Sequence, residues 1–253
     1  MKVSVLSSGS KGNSTYVETK NHKILIDIGT SSLYIEKCLR LIGVDPKDID
    51  IILITHAHID HVGGLRVFTK KYNPLVYISD KILKESKLNI ENISSEEDIE
   101  INTDIKIKSF KLSHDVADIK GYLIEENNDS MVYITDTGYI NEKNFQYIKN
   151  KNLYVFESNH DVEKLMNNPK YPYNTKIRIL SDKGHLSNKD SAHYLCKYIG
   201  NNTEKIILAH LSEHNNTPDI AFNNLKATLD KKGINFTNIS IASQNDMTES
   251  VTA

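Results

Sequence analysis

Three histidines and one aspartate are crowded into the segment THAHIDH, as His56, His58, Asp60 and His61. Imidazole and carboxylate groups together suit Zn²⁺, Mn²⁺ or Fe²⁺. Because these ligands are too many for one tetrahedral ion, the segment predicts two divalent metal ions that share one cluster. The alternative is a histidine-rich surface loop. That alternative is disfavoured because an apolar strand leads into the segment and a Gly-Gly turn follows it.

Further ligands for a two-metal centre follow later predicted strands. His114 lies in LSHD, Asp136 in YITDTG and His210 in ILAHLS. In α/β architecture, sites gather at the carboxyl ends of strands, so these three residues are predicted to converge on the first segment. Taken singly, His114 or His210 would more often be a packed core histidine or a surface residue. Because the THAHIDH segment is present, we instead expect both histidines to be metal ligands.

The elements that must position these residues can be predicted from hydrophobic periodicity. Apolar and alternating runs predict strands at residues 2–6, 15–18, 24–28, 51–54, 75–78, 105–112, 121–125, 131–135, 153–156, 205–209 and 239–242. Helical patterns predict helices over residues 33–42, 64–71, 80–88, 142–150, 188–199 and 218–232. The Asn/Ser/Glu-rich stretch 91–100 is predicted to be a surface loop. Two successive halves of strands flanked by helices predict an α/β fold, an αββα four-layer sandwich.

Composition predicts a soluble globular protein. Of 253 residues, 39% are hydrophobic and 25% charged, and no apolar run approaches the ~20 residues that span a bilayer. We expect one domain, residues 1–253, and a cytoplasmic location, since the N-terminus lacks the apolar block of a secretory signal. Cys38 and Cys196 have no CxxC partner and are expected to be reduced core residues. A net charge of −2 does not indicate a nucleic-acid binder, so a polyanion site would depend on local basic patches or metal ions.

The order of these motifs resembles the metallo-β-lactamase superfamily, with Asp27 in LIDIG as an additional motif. The resemblance covers nearly the whole chain and implies the metallo-β-lactamase type of sandwich. It also implies how the ligands divide: His56, His58 and His114 for one metal, Asp60, His61 and His210 for the second, and Asp136 bridging both. Asp27 would not bind a metal itself but would orient one of the ligand residues. The interval from Asp136 to His210 is too short for an inserted domain of ~100–200 residues, unlike that of ribonuclease J-like nucleases.

A second resemblance concerns proton transfer. Glu157 in FESN and His185 in KGHLSN resemble the Glu/His pair that ribonuclease Z relatives place beside the metals. A histidine held by a carboxylate is made more basic, so His185 could stay protonated and donate to the leaving oxygen. A metal-bridging hydroxide would be the nucleophile, oriented or deprotonated by Asp60. Alternatively, His185 only starts a helix beside the Ser187 cap and Glu157 is a surface carboxylate.

Longer segments are similar to the YycJ/WalJ/VicX group of this superfamily, namely SSGSKGNST, ESNHD, YPYN, ILSDKGHLSN and LAHLSEHNN. That group is described as metal-dependent nucleases with 5′-to-3′ exonuclease activity on DNA, and it is associated with a cell-wall two-component regulatory system. The resemblance therefore implies a metal-dependent phosphodiesterase, a 5′-to-3′ DNA exonuclease, with DNA favoured over RNA as its partner. The oligomeric state stays open.

Candidate substrate contacts lie in two segments and at His160, which is close to Glu157 in the sequence. In residues 164–183, basic residues outnumber acidic ones and alternate with tyrosines, so this segment could hold phosphates and unpaired bases. A solvated loop is the alternative. The Gly/Ser-rich stretch 7–14 could offer hydroxyl and N–H groups to a phosphate, although a hairpin turn explains it equally. The candidate residues are Ser10, Asn13, His160, Lys176 and Arg178.

Two other functions stay open on the sequence alone. A hydrolase of a thioester, lactone or β-lactam would use the same metal motif. Such a small substrate would not require the basic segment or the Glu157/His185 pair. A non-catalytic regulatory protein linked to the two-component system would leave its metal ligands unused, and the desolvation cost of those ligands disfavours it.

Overall fold

The computed structural model describes residues 1–96, 98–101 and 105–252. Its strands, in chain order, are β1 (Lys2–Ser7), β2 (Ser14–Glu18), β3 (Lys23–Ile26), β4 (Ile51–Leu53), β5 (Leu75–Tyr77), β6 (Ile93–Ser94), β7 (Asp98–Ile101), β8 (Ile105–Lys111), β9 (Lys120–Glu126), β10 (Asp129–Ile134), β11 (Leu153–Glu157), β12 (Lys205–Ala209), β13 (Ile239–Ile241) and β14 (Val251–Thr252).

The strands form two mixed sheets that share one internal plan. Over the described residues, the first sheet has the order β14-β1-β2-β3-β4-β5-β6 and the second has the order β13-β12-β11-β10-β9-β8-β7. In the first, β14 to β3 pair antiparallel and β3 to β6 pair parallel. In the second, β7 to β10 pair antiparallel and β10 to β13 pair parallel. The repetition agrees with the prediction of two similar halves.

The described residues form nine α-helices, most of which pack on the outer faces of the two sheets. They are α1 (Ser32–Leu41), α2 (Ile59–Val62), α3 (Leu65–Tyr72), α4 (Asp80–Ser86), α5 (Phe145–Ile148), α6 (Val162–Asn167), α7 (Tyr173–Leu180), α8 (Asn188–Tyr198) and α9 (Pro218–Lys231). Side chains cap several helix starts: Ser31 accepts from Tyr34 N and Ser187 from Asp190 N. Among the described residues, no helix is long and apolar enough to cross a membrane.

Among the described residues, the hydrophobic core consists of three clusters of buried residues, one at each interface between adjacent layers. The central cluster joins the inner faces of the two sheets, for example Val17 and Leu53 with Tyr133 and Val155. A second cluster packs α1, α3 and α4 on the first sheet, and a third packs α5, α8 and α9 on the second. This arrangement confirms the αββα four-layer sandwich.

Buried parallel strands explain why some predictions succeeded. Ile51 and Leu53 face the central cluster, whereas Ile52 faces the helix layer, so β4 is covered on both sides and has no polar alternation. Predictions were wrong where strands or helices are short. The stretch 91–100, predicted as a loop, contains β6 and most of β7. The predicted helix over 142–150 is a 3-10 turn, Glu142–Asn144, followed by α5.

Candidate metal centre

The predicted site residues stand where strands end, at one edge of the sandwich. Asp27 follows β3, His56 lies shortly after β4, and His114 shortly after β8. Asp136 lies two residues after the end of β10, Glu157 ends β11, and His210 directly follows β12. Three of these residues, Asp27, Asp136 and His210, have positive φ angles of 61°, 57° and 56°. A left-handed backbone is unusual for residues other than glycine, and such strain concentrates at functional sites.

The THAHIDH loop is held in place by close backbone contact. Asn13 N donates to the Asp60 carbonyl oxygen at 2.8 Å, and Ile28 N donates to the His61 carbonyl oxygen at 2.9 Å. Gly29 is required here, because a Cβ at that position would lie 1.6 Å from the Asp60 carbonyl oxygen. The Asn13 amide is itself buried and bonds Gly9 and the Asp60 carbonyl oxygen. Asn13 therefore fastens the loop.

Hydrogen bonds to the Nδ1 atoms of His61 and His56 fix the orientation of both imidazole rings. Asp27 accepts from His61 Nδ1 at 2.7 Å and from the Thr55 hydroxyl at 2.7 Å. That hydroxyl, having donated its proton, can accept from His56 Nδ1 at 3.0 Å. Both histidines are thus oriented with Nε2 toward the centre, which is how a ligand histidine is usually supported.

One group of ligand atoms consists of His56, His58 and His114, whose available atoms lie within 4.8 Å of one another. His114 Nδ1 donates to the Gly184 carbonyl oxygen at 3.0 Å, leaving Nε2 as the lone-pair atom. Burial lowers the pKa of His114, and it holds the pKa of His56 well below its usual range. Neutral imidazoles with free lone pairs are what a divalent metal ion requires.

Asp136 lies at the centre of a second group. Its Oδ2 is 3.2 Å from His61 Nε2 and 3.0 Å from His210 Nδ1. Burial alone would raise the pKa of Asp136, but His210 and His61 outweigh it and hold that pKa well below the usual range. Conversely, burial opposes protonation of His61, while Asp136 and Asp27 raise its pKa well above the usual value. The carboxylates therefore favour positive charge at this point.

The donor set fits divalent metal ions. Three buried atoms, His56 Nε2, Asp136 Oδ2 and His210 Nδ1, make no hydrogen bond of good geometry within the part of the chain that the structure describes, although the last two lie 3.0 Å apart. Unpaired buried polar atoms are costly, and a cation between them would satisfy all three. His56, His61 and Asp136 also form a group within 4.8 Å, so Asp136 joins both sides of the centre. Asp60 Oδ2 lies farther out, 3.6 Å from His61 Nε2.

Glu157 and His185 form the predicted pair. His185 Nδ1 donates to Glu157 Oε1 at 2.7 Å, and Thr137 N donates to Glu157 Oε2 at 2.9 Å. Burial lowers the pKa of His185, but Glu157 outweighs it and raises that pKa to about 9. His185 lies 3.7 Å from Asp136 Oδ1, so a proton donor stands beside the centre.

A cavity of about 170 Å³ opens onto these groups. Its walls include the predicted ligands His58, Asp60, His114, Asp136 and His210, the predicted proton donor His185, and Ser10, Asp115, Arg178, Ile179, Lys183 and Gly184. The structure thus brings Ser10 and Arg178 to the cavity. Lys176 is not in this wall, and its Nζ donates to the Met166 carbonyl oxygen. His160 is fully buried elsewhere, and burial lowers its pKa to about 4.

Two charged residues of the cavity wall were not individual candidates in the sequence analysis. Asp115 and Lys183 line the wall although neither was a candidate. Asp115 directly follows His114 in LSHD, and that adjacency was the available signal. The segment around Lys183 was considered only as a charge pattern, whereas the structure places it on α7 and on the turn that leads to His185.

Comparison with known proteins agrees with this fold. Residues 8–145 match the sequence profile of the metallo-beta-lactamase superfamily. The chain belongs to the metallo-beta-lactamase superfamily.

Within that class, the chain is similar to two curated bacterial relatives. It is 40% identical over 237 residues to the exodeoxyribonuclease YycJ of Bacillus anthracis, covering 91% of this chain and 89% of that protein. It is 40% identical over 229 residues to the exodeoxyribonuclease WalJ of Streptococcus pneumoniae serotype 2, covering 87% of this chain and 85% of that protein. These identities confirm the resemblance to the YycJ/WalJ/VicX group.

Solved structures share the fold. The metallo-beta-lactamase fold protein YhfI from Bacillus subtilis has a TM-score of 0.72 at 16% identity, covering 98% of this chain and 99% of that chain. The short form of human tRNase Z has a TM-score of 0.66 at 12% identity, covering 98% and 99%. At these identities the likeness concerns the fold alone.

Proposed function

We propose that this protein is a metal-dependent phosphodiesterase that degrades DNA from the 5′ end. The observation that carries the proposal is the joining, in one cavity, of a histidine/aspartate cluster with a carboxylate-held histidine. The names of the YycJ and WalJ relatives, both exodeoxyribonucleases, support it. The assignment of residues 1–253 to one domain and the cytoplasmic location both stay predictions.

Two divalent ions, zinc or manganese with iron as a third candidate, would be held by the residues around Asp136. His56, His58 and His114 would hold one, Asp60, His61 and His210 the other, and Asp136 would contact both. Ions in such a site activate water as a nucleophile and neutralise charge on a phosphodiester. Asp27 supports the arrangement by holding His61 through Nδ1. Asp60, on the cavity wall, would orient the attacking water or accept its proton.

His185 would supply the proton that the leaving oxygen needs. Its Nδ1–H is committed to Glu157, so Nε2–H is the donor left for the cavity. A pKa of about 9 keeps the ring protonated at neutral pH. Glu157 is fully buried and also accepts from two backbone N–H groups, so its position is fixed. A fixed donor beside the reacting bond is the usual arrangement for general acid catalysis.

Arg178 and Ser10 would contact the phosphate at the cavity wall. A guanidinium has several N–H donors in one plane and matches phosphate oxygens well. The other candidates, Asn13, His160 and Lys176, have weaker support. Asn13 and His160 are buried, and Lys176 bonds a main-chain carbonyl.

A substrate panel tests the proposal. The purified protein, loaded with Zn²⁺ or Mn²⁺, would be assayed on a DNA oligonucleotide, a thioester, a lactone and a β-lactam. We expect chelator-sensitive cleavage of DNA only, and expect His185→Ala to slow it. Cleavage of a small substrate with DNA left intact would refute the nuclease and keep the metallo-hydrolase.

A further inference from the structure

Asp115 occupies a distinctive place on the cavity wall. It follows His114 in the loop between β8 and β9, and 30% of its side chain is exposed. Its Oδ1 lies 3.2 Å from His114 Nε2 and 3.9 Å from His58 Nε2. Its Oδ2 accepts from an Arg178 guanidinium nitrogen at 2.9 Å. The carboxylate therefore stands between two ligand histidines and the arginine.

Arg178 lies on an exposed surface, where packing against the described residues does little to fix its side chain. It lies on α7, a helix of eight residues with none of them buried. The arginine side chain is 66% exposed. A long side chain on such a surface samples many rotamers, and ordering it costs conformational entropy. The contact with Asp115 holds one guanidinium nitrogen over the cavity.

Among the described residues, Asp115 is the one hydrogen-bond partner of the Arg178 side chain, so its remaining donors are available to a ligand. A guanidinium carries five N–H groups in a plane, and the contact with Asp115 involves the nitrogen Nη1. The other donors can bind two oxygens of one phosphate, which is the strong form of arginine–phosphate recognition. An arginine already held in position loses less entropy on binding.

We propose that Asp115 is a positioning residue for phosphodiester binding, which holds Arg178 over the metal cavity so that its free N–H groups grip the substrate phosphate. This inference rests on the proposed function, since it assigns the substrate-binding machinery of the same site. The role differs from metal ligation because Oδ2 bonds Arg178, whereas it is the other oxygen, Oδ1, that lies near His114 and His58.

A double-mutant cycle tests the inference in the metal-loaded protein. Arg178→Ala should raise KM for a DNA oligonucleotide about 10-fold with kcat within about 2-fold, because a charge-assisted contact is lost. Asp115→Ala should raise KM about 5-fold, and Asp115→Asn, which keeps an acceptor, by less. The double variant should match Arg178→Ala alone, since the two residues act as one unit. The same order should appear in the Kd for thymidine 5′-monophosphate, measured by calorimetry.

Lys226→Ala and Asp230→Asn provide a matched control. These residues form an ion pair at 2.7 Å on α9, away from the cavity wall, and should leave KM unchanged. Metal content by mass spectrometry gives the decisive second readout. If Asp115→Ala loses a metal ion, or if the two single effects multiply in the double variant, the inference is wrong. A wild-type protein that does not cleave DNA would instead refute the proposed function, while the Kd series would still test the Asp115–Arg178 pair.

Discussion

Replacing Glu157 with glutamine should make the reaction rate depend on pH in a new way. Glu157 Oε1 accepts from His185 Nδ1 at 2.7 Å. Burial lowers the pKa of His185, and it is Glu157 that reverses this and raises the pKa to about 9. In the E157Q variant the negative charge is gone, so the pKa of His185 should fall to its ordinary value of about 6.5 or lower.

The size of the effect follows from the protonated fraction of His185. At pH 8 that fraction would drop from about 0.9 to about 0.03, a loss of about 30-fold in the proton donor. At pH 6 both forms are mostly protonated, and the same loss is only about 1.3-fold. The raised pKa means that protonation is retained up to about pH 9 in the wild type but is lost above about pH 6.5 in the variant.

The assay is kcat/KM on a DNA oligonucleotide between pH 5.5 and 9.5, with metal content measured in each preparation. Glu125→Gln is the matched control, because Glu125 pairs with Lys151 at 2.6 Å and does not line the cavity. Its pH profile should match the wild type. A loss in E157Q that is equal at all pH values, with metals retained, would refute the role of Glu157 in holding the proton on His185.

Three further substitutions test how the centre is held. Asp27→Asn weakens the acceptor that holds His61 Nδ1 at 2.7 Å, and metal affinity should fall about 10- to 100-fold in a chelator competition; unchanged affinity would contradict this support. His61→Ala should lower the bound metal measured by mass spectrometry by about one ion per chain, whereas full occupancy would exclude His61 as a ligand. Gly29→Ala would place a methyl group 1.6 Å from the Asp60 carbonyl oxygen, so both the melting temperature and the metal content should drop; a variant with wild-type values would show that the loop can yield.

Much of the fold could be predicted because buried strands and strand-end motifs leave local signals. The Ile51–Leu53 run is β-branched and apolar because β4 is covered on both faces. The elements that were missed lack such signals. Helix α7 buries no residue, and β6 has only two residues at a sheet edge. Neither can be distinguished from a polar loop by periodicity alone.

In the candidate site, too, some features could be predicted from the sequence and others could not. The ligands lie at strand ends, and parallel strands bring those ends together, so their convergence could be expected from order alone. Two supporting roles, that of Asp27 behind a ligand and that of Glu157 beside His185, could be expected from the resemblance. Other supporting contacts could not be predicted, because they join distant positions. Asn13 fastens the loop around Asp60, and Asp115 bonds Arg178, each across a long separation in sequence. Such pairings depend on packing that a single sequence does not reveal.

The most direct test of the central claim uses DNA labelled at the 5′ end in one sample and at the 3′ end in another. The metal-loaded protein should release labelled mononucleotide from the 5′-labelled strand at once, while the 3′-labelled strand shortens progressively. An Asp60→Ala, His61→Ala variant should leave both strands intact. Internal cuts, shortening from the 3′ end, or full activity in the double variant would contradict a two-metal 5′-to-3′ exonuclease.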